Sequence, residues 1–167
     1  MIRIALYQPD IAQNTGTILR LAACLGLAVD IVEPAGFPVS DKAFRRSGMD
    51  YLDHVAWTRH DDFAAFEAWR RREGRRLILM TTRGALPYQH FAFRAGDVLM
   101  AGRESAGVPD AVHACADGRI VIPMRPAMRS LNVAVATAMV AGEALRQLDG
   151  LPSLPDEKGL PEGSPFA

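Results

Sequence analysis

The sequence contains few cysteines and no long apolar run. Its two cysteines, Cys24 and Cys115, are too few for a disulfide framework, and neither has the spacing of a metal ligand. We therefore predict no metal site and interpret both cysteines as small buried residues. No apolar stretch approaches the roughly 20 residues that cross a membrane, and no signal-peptide core precedes Gln8-Pro9-Asp10. These absences predict a cytoplasmic protein without a membrane partner.

The chain also has no net charge, because its 19 basic residues balance its 19 acidic residues. The balance is uneven along the chain, since residues 149–167 contain four acidic residues and one basic residue, which leaves residues 1–148 with a net charge of +3. Of the basic residues, 17 are arginines, whose planar fork suits phosphate contacts. High genomic GC content would produce the same bias. Charge therefore permits a nucleic-acid partner without establishing one.

The 167 residues, 49% of them hydrophobic, suffice for one domain with a substantial core. Short apolar runs alternate with amphipathic stretches, which predicts an α/β fold with a mostly parallel sheet and flanking helices. We predict strands near 2–7, 28–33, 53–57, 76–81, 97–101 and 119–122. We predict helices over 14–26, 61–72 and 131–148, with helical turns near 41–47 and 108–113. Residues 1–148 form the predicted single domain, and the Pro-rich residues 149–167 form a predicted disordered tail.

Several nucleotide-binding and hydrolase fingerprints are missing. No G-x-G-x-x-G occurs in the chain, which disfavours a dehydrogenase. The pair Gly102 and Gly107 is not followed by Lys-Ser/Thr, so the segment is no P-loop. Ser105 has Arg103 where a nucleophile elbow requires glycine. The segment could also be a simple tight loop before a helix that begins at Pro109.

Polar residues follow the predicted strands, where a parallel sheet usually binds its ligand. Asn14 is interpreted as a helix cap, and Ser130 as the N-cap of the helix over 131–147. That helix is nearly apolar around its circumference, which predicts burial by a second subunit or by chain wrapped around it. Asn132 would then be a polar group in an apolar setting and would need a hydrogen-bond partner.

Three segments together resemble the ordered motifs of the SpoU branch of the SPOUT methyltransferases. They are residues 14–20, 99–109 and 122–132, and the likeness extends over residues 1–148. Further segments are similar to the small TrmL-like subgroup that modifies the wobble nucleotide of tRNA, namely 31–34, 45–51 and 58–60. Arg103 and Ala106 occupy variable places in the second motif, which leaves a different substrate preference open.

The resemblance implies a C-terminal trefoil knot, a homodimer and S-adenosyl-L-methionine as the cofactor. In this family the cofactor is bent into the knot and contacted by backbone. The matching cofactor-binding positions in this sequence are Met80, Gly102, Ile122 and Ser130, with Leu131 as a neighbour. The predicted apolar helix over 131–147 is consistent with both the knot and the dimer.

The resemblance also implies five catalytic residues. By similarity, Arg20 lies at the ribose 2′-hydroxyl. A guanidinium stays protonated, so we interpret Arg20 as holding a phosphate and stabilising the developing alkoxide rather than as a base. Glu104 is the candidate to orient Arg20 or to take the proton. Ser130 and Asn132 would fix the cofactor and the ribose, while Asn14 would hold the start of its helix beside them. Each residue alone could equally be a cap, an ion-pair partner or a buried hydrogen-bond partner.

The implied reaction is methyl transfer to the ribose 2′-hydroxyl of cytidine or uridine at the wobble position 34, within the anticodon stem-loop of tRNA. DNA lacks this hydroxyl and is excluded as a substrate. Three alternatives stay open: a 2′-O-methyltransferase for another tRNA or rRNA position, a non-catalytic RNA-binding homologue on the same fold, and an unrelated nucleotide-binding α/β enzyme. Cofactor binding separates the second alternative from an enzyme, and the third requires a phosphate fingerprint that the sequence lacks.

Overall fold

A computed structural model describes residues 1–46, 52–83 and 86–153. Among these residues the strands are β1 (Arg3–Tyr7), β2 (Ala28–Val32), β3 (Trp57–His60), β4 (Leu77–Met80), β5 (Leu86–Pro87), β6 (Val98–Ala101) and β7 (Gly118–Val121). The α-helices are α1 (Ala12–Leu25), α2 (Asp41–Arg46), α3 (Phe63–Arg72), α4 (Asp110–Cys115) and α5 (Val133–Gln147), and 3-10 helices cover Leu52–His54 and Tyr88–His90. The predicted α/β class is confirmed. Most of the predicted tail (154–167) and residues 47–51 of the TrmL-like segment lie outside the described residues.

The strands form one sheet in the order β3-β2-β1-β6-β4-β7-β5, and every described pair is parallel. Near the carboxyl ends, Met80 of β4 is in register with Ala101 of β6 and with Ile120 of β7. The residues that follow β4, β6 and β7 therefore emerge side by side at one edge of the sheet. This edge is where an open parallel sheet places its ligand site.

Both faces of the sheet are covered by helices. Ile4 and Leu6 of β1 pack into a core with α1 and α5, whereas Ala5 and Tyr7 pack into a second core with α3 and α4. Successive side chains of a strand point to opposite faces, so burial on both sides requires a continuous apolar run. This is why the strand sequences are visible as apolar runs.

One predicted strand is wrong, and one strand was missed. The prediction over 53–57 fails because Leu52–His54 forms a 3-10 turn, and β3 begins only at Trp57, which pairs with Val29. Leu52 and Val55 are both buried, a spacing of three that suits a turn rather than an alternating strand. The missed strand, β5, has two residues, includes Pro87 and lies at the sheet edge, where proline is tolerated.

The two predicted helix caps are also wrong. Helix α1 begins at Ala12 with Ile11 at its N-cap, so Asn14 lies within the first turn. Helix α5 begins at Val133, and its N-cap is Asn132 rather than Ser130. The side chains of Asn14 and Ser130 are thereby available to the site described below.

The cysteines differ from expectation, whereas cover of the apolar helix by a second subunit or by wrapped chain stays a prediction. Cys24 is exposed and Cys115 is half-buried, so neither is the buried residue that was predicted. Helix α5 buries one face, including Val140, Ala141 and Ala144, but leaves Val135 exposed on the other. Within residues 1–46, 52–83 and 86–153, no helix is long and apolar enough to span a bilayer.

A buried carboxylate on β2 links the two neighbouring strands, β1 and β3. Asp30 of β2 is fully buried and accepts hydrogen bonds from Arg3 Nε at 2.7 Å and Nη2 at 3.1 Å. Its Oδ1 also lies 2.9 Å from His60 Nε2 on β3. Charge on a buried carboxylate is tolerated when such partners replace its water.

We expect Asp30→Ala to lower the free energy of unfolding by about 3–5 kcal/mol, because it leaves the Arg3 guanidinium largely buried without its counter-ion. Chemical denaturation would measure the change. Asp61→Ala is the matched control, since Asp61 pairs with Arg59 but its side chain is 83% exposed. We expect the control to lose no more than about 0.5 kcal/mol. Equal losses in the two variants would contradict a structural role for the Asp30 cluster.

Candidate active site

A cavity of about 510 Å³ opens at the carboxyl edge of the sheet. Its wall is formed by residues that follow β4, β6 and β7, by the start of α1 and by the segment leading into α5. Of the nine residues predicted for the site, eight line this cavity: Asn14, Met80, Gly102, Glu104, Ile122, Ser130, Leu131 and Asn132. The tertiary structure thus brings together residues that are far apart in the sequence.

Three of the predicted cofactor residues lie at the carboxyl ends of neighbouring strands. Met80 ends β4, Gly102 follows β6 and Ile122 follows β7. The three strands are neighbours in the sheet, so the three residues lie side by side. Ser130 and Leu131 reach the same cavity from the segment before α5, and both are exposed.

The loop after β6 is closed by its own backbone. Arg103 N–H donates to the Gly107 carbonyl at 3.0 Å, and Gly107 N–H donates to the Arg103 carbonyl at 2.8 Å. Gly107 has a positive φ of 66°, and a Cβ on Gly102 would lie 2.9 Å from Gly107 Cα. Both positions therefore require glycine. The pinched loop presents Glu104 to the cavity.

A chain of hydrogen bonds joins the three sequence motifs. Glu104 Oε1 accepts from Asn14 Nδ2 at 3.1 Å, and Asn14 Oδ1 accepts from Asn132 Nδ2 at 2.9 Å. Asn132 Oδ1 in turn accepts from the backbone N–H groups of Ala134 at 2.9 Å and Val135 at 3.3 Å. Asn132 therefore caps α5 and orients Asn14 with the same side chain.

The direction of this chain follows from helix capping. The N–H groups at the start of α5 require an acceptor, so Asn132 must turn its oxygen to the helix and its amino group to Asn14. Asn14 must then accept through its oxygen and donate through its nitrogen. Glu104 is left as the acceptor at the end of the chain. Its second oxygen, Oε2, accepts from the backbone N–H of Asp10 at 2.8 Å.

Asp10 contacts the loop that carries Glu104, and the sequence-based predictions did not include it. Its Oδ1 accepts from Arg103 Nη2 at 2.6 Å and Nε at 3.2 Å, and its Oδ2 accepts from Ser105 N at 3.1 Å and Ser105 Oγ at 2.5 Å. These donors, that of Arg103 first, lower the pKa of Asp10 to about 2. Its position directly after the first strand was the available signal.

Arg20 is the ninth predicted residue, and it lies outside the described lining of the cavity. It is exposed on α1, six residues beyond Asn14, which is about 9 Å along the helix axis. The site therefore has two parts: a cavity that contains eight predicted residues, and an exposed arginine further along the same helix.

A family model described as the SpoU rRNA Methylase family matches residues 1–142. A curated tRNA (cytidine(34)-2′-O)-methyltransferase from Beijerinckia indica subsp. indica is 65% identical over 153 residues, covering 92% of this chain and 96% of that protein.

Two solved structures are also similar. One concerns the 2-OH methylation of C/U34 on tRNA; it has a TM-score of 0.83 and 43% identity and covers 90% of this chain and 97% of its own. The other is the SpoU methyltransferase AviRb from Streptomyces viridochromogenes in complex with AdoMet, with a TM-score of 0.77, 26% identity and coverage of 89% and 60%. The match to the family model spans the strands, the cavity loops and most of α5, and this chain belongs to the SpoU rRNA methylase family.

Proposed function

We propose that this protein transfers a methyl group from S-adenosyl-L-methionine to the ribose 2′-hydroxyl of cytidine or uridine at position 34 of tRNA. The observation that carries the proposal is the hydrogen-bond chain from Glu104 through Asn14 to Asn132, which unites three motif segments beside one cavity. The names of the similar proteins support position 34 of tRNA as the methylated nucleotide. The proposal includes a cytoplasmic location and the anticodon stem-loop of tRNA as the partner, and it excludes DNA as a substrate because DNA has no 2′-hydroxyl.

The cavity fits the cofactor in size and in lining. Its volume of about 510 Å³ lies within the ~300–1,000 Å³ of typical small-molecule sites. Met80, Gly102 and Ile122 would hold the cofactor at the strand ends, and Ser130 and Leu131 would cover it from the segment before α5. When bound, the cofactor supplies a sulfonium methyl group that is already electrophilic. The protein therefore needs mainly to align the ribose oxygen and to accept its proton.

Glu104 is the proposed proton acceptor. Both of its oxygens already accept hydrogen bonds, from Asn14 and from the Asp10 backbone, so the carboxylate is fixed in place beside the cavity. A fixed acceptor loses little orientational freedom when the ribose arrives. Asn14 and Asn132 act through Glu104, because they set its position. Ser130, which also lines the cavity, would fix the cofactor and the ribose.

Arg20 is the proposed electrostatic group. Its exposed position on α1 supports contact with the RNA rather than with the cofactor. A guanidinium donates several hydrogen bonds in one plane and suits a phosphate, and its positive charge stabilises an alkoxide that develops nearby. This assignment gives Arg20 binding and stabilisation but no proton transfer.

We further propose that residues 1–148 act as one domain, with a C-terminal trefoil knot, in a homodimer. The sheet order supports the knot, since β4 lies between β6 and β7, which both come later in the chain. Exposed apolar side chains support the dimer: Ile11, Met128, Leu131, Val135 and Met139 lie on α5 or near the cavity. Large apolar side chains grouped on a surface mark an interaction site.

We expect the double substitution Val135→Lys and Met139→Lys to give a monomer, because it places two charges on the exposed face of α5. Sedimentation at micromolar concentration would measure the mass. Leu151→Lys is the matched control, since Leu151 is 52% exposed outside this face, and it should leave the dimer intact. A wild-type protein that sediments as a monomer would contradict the dimer.

The proposed reaction is tested by methyl transfer from labelled S-adenosyl-L-methionine to tRNA from a strain that lacks this protein. Nuclease mapping of the label should identify a 2′-O-methylated nucleotide at position 34. Label at another tRNA or rRNA position would retain the chemistry and move the site. Cofactor binding without any transfer to RNA would instead identify a non-catalytic RNA-binding homologue.

A further inference from the structure

We propose that Asp10 is a positioning residue that sets the rate of methyl transfer through Glu104. The inference rests on the proposed function, and it adds a residue that lies in none of the three motif segments. Its basis is the arrangement of the loop 102–107, in which one carboxylate holds the residues on both sides of Glu104.

The Asp10 carboxylate is saturated by this loop. Arg103 donates from Nε and Nη2 to one oxygen, and Ser105 donates from its backbone and its hydroxyl to the other. Glu104 lies between these two residues and accepts the backbone N–H of Asp10. The contact is therefore reciprocal: the Asp10 side chain fixes the loop, and the Glu104 side chain fixes the Asp10 backbone.

The Asp10 backbone is held from the other side as well. Gln8 directly follows β1 and has a positive φ of 46°, an unusual conformation for a residue other than glycine. Gly36 N–H donates to the Pro9 carbonyl at 2.8 Å, and a Cβ on Gly36 would lie only 2.8 Å from the Asp10 carbonyl oxygen. The strained turn at Gln8 and the close approach of Gly36 thus hold the Asp10 backbone independently of its contacts with the loop. Such strain is concentrated at functional sites.

Arg103 has a second contact that supports the same role. Its Nη1 lies 3.4 Å from Gln8 Oε1, so its guanidinium joins Gln8 to Asp10. By resemblance, Arg103 occupies a variable place in its motif. The structure gives it a partner in Asp10, and a change at either position would move the residues next to Glu104.

Asp10→Asn tests the proposal with little change in shape. An amide has one acceptor oxygen, so its NH₂ group must face the donors of either Arg103 or Ser105. We expect kcat for tRNA methylation to fall about tenfold, because a small displacement of a reacting group costs up to about 100-fold. The KM for tRNA and the melting temperature should change little. Asp61→Asn, at an exposed carboxylate that pairs with Arg59, is the matched control.

Coupling to Glu104 separates positioning from general destabilisation. If Asp10 acts through Glu104, Asp10→Asn should change kcat by no more than about twofold in the Glu104→Gln background, since coupled residues are not additive. An equal loss in both backgrounds, or no loss in the wild-type background, would overturn the proposal. If Asp10→Asn does not fold, the combination Arg103→Met and Ser105→Ala removes the side-chain donors instead and should give the same coupled loss.

A second readout keeps this test separate from the proposed function. Amide hydrogen exchange at Ser105 should become faster in Asp10→Asn, because the Ser105 N–H loses a charged acceptor. Coupling is measured on whichever RNA the wild-type protein methylates. A target other than position 34 would therefore overturn only the proposed methylation position. If the wild type methylates no RNA, the exchange rate decides, and unchanged protection of Ser105 would overturn the positioning role.

Discussion

Replacing Glu104 by glutamine should lower kcat for methyl transfer about 100-fold or more, the usual loss when a general base is removed. Glutamine is similar in shape but has one acceptor oxygen, whereas Glu104 accepts from both Asn14 Nδ2 and Asp10 N–H. One of these donors would face an NH₂ group. The substitution therefore removes the proton acceptor and breaks the chain that orients it.

Single-turnover transfer of labelled methyl groups to tRNA would measure this effect, and calorimetry would measure cofactor affinity. We expect little change in that affinity, because Glu104 contacts protein groups through both oxygens. Glu73→Gln is the matched control, since Glu73 lies at the end of α3, 3.6 Å from exposed Arg72, and it should retain the wild-type rate. A Glu104→Gln protein with wild-type kcat would exclude Glu104 as the base.

Replacing Arg20 by alanine should lower the single-turnover rate about 100-fold, which is typical for the loss of one group that stabilises a developing oxyanion. Arg20→Lys should recover part of the rate, because lysine retains the charge but cannot reproduce the planar fork. A base mechanism predicts that Arg20→Lys reaches or exceeds the wild-type rate, because lysine gives up its proton more readily than arginine. The pair of variants therefore distinguishes charge from proton transfer.

The same Arg20 variants should bind tRNA more weakly if the side chain holds a phosphate, and the loss should be smaller at high salt. Arg72→Ala is the matched control, because the Arg72 side chain is 70% exposed at the end of α3. Its rate and its tRNA affinity should stay close to wild type. Full activity of Arg20→Ala with unchanged tRNA affinity would rule out the assigned role.

Most strands could be predicted because their burial requires continuous apolar runs, as Val98–Ala101 illustrates with four buried residues. The prediction over 53–57 failed because its apolar residues pack from a 3-10 turn. Local rules also failed at the caps, since Asn14 and Ser130 are good capping residues at positions where no helix begins. The helix boundaries depend on neighbouring elements that a local pattern does not contain.

The candidate site could be predicted residue by residue only where a motif was recognised. Eight of the nine predicted residues meet at the cavity, and Arg20 lies outside its described lining. Asp10 was not predicted, because its partners Arg103 and Ser105 lie more than 90 positions away in the sequence. Its position shortly after the first strand was the one local signal, and a polar residue in an ordinary turn would share that position.

The sequence alone determined the α/β class, the parallel strands and the positions at which polar residues follow them, because these depend on periodicity and on the two-sided burial of each strand. Only the tertiary structure decided which of those residues meet. The sheet order places β4 between β6 and β7, and the start of α5 lies beside the start of α1, so Asn14 and Asn132 touch across 118 positions. Contacts between residues so far apart in the sequence depend on the order in which the strands and helices pack, and the spacing of residues along the chain does not specify that order.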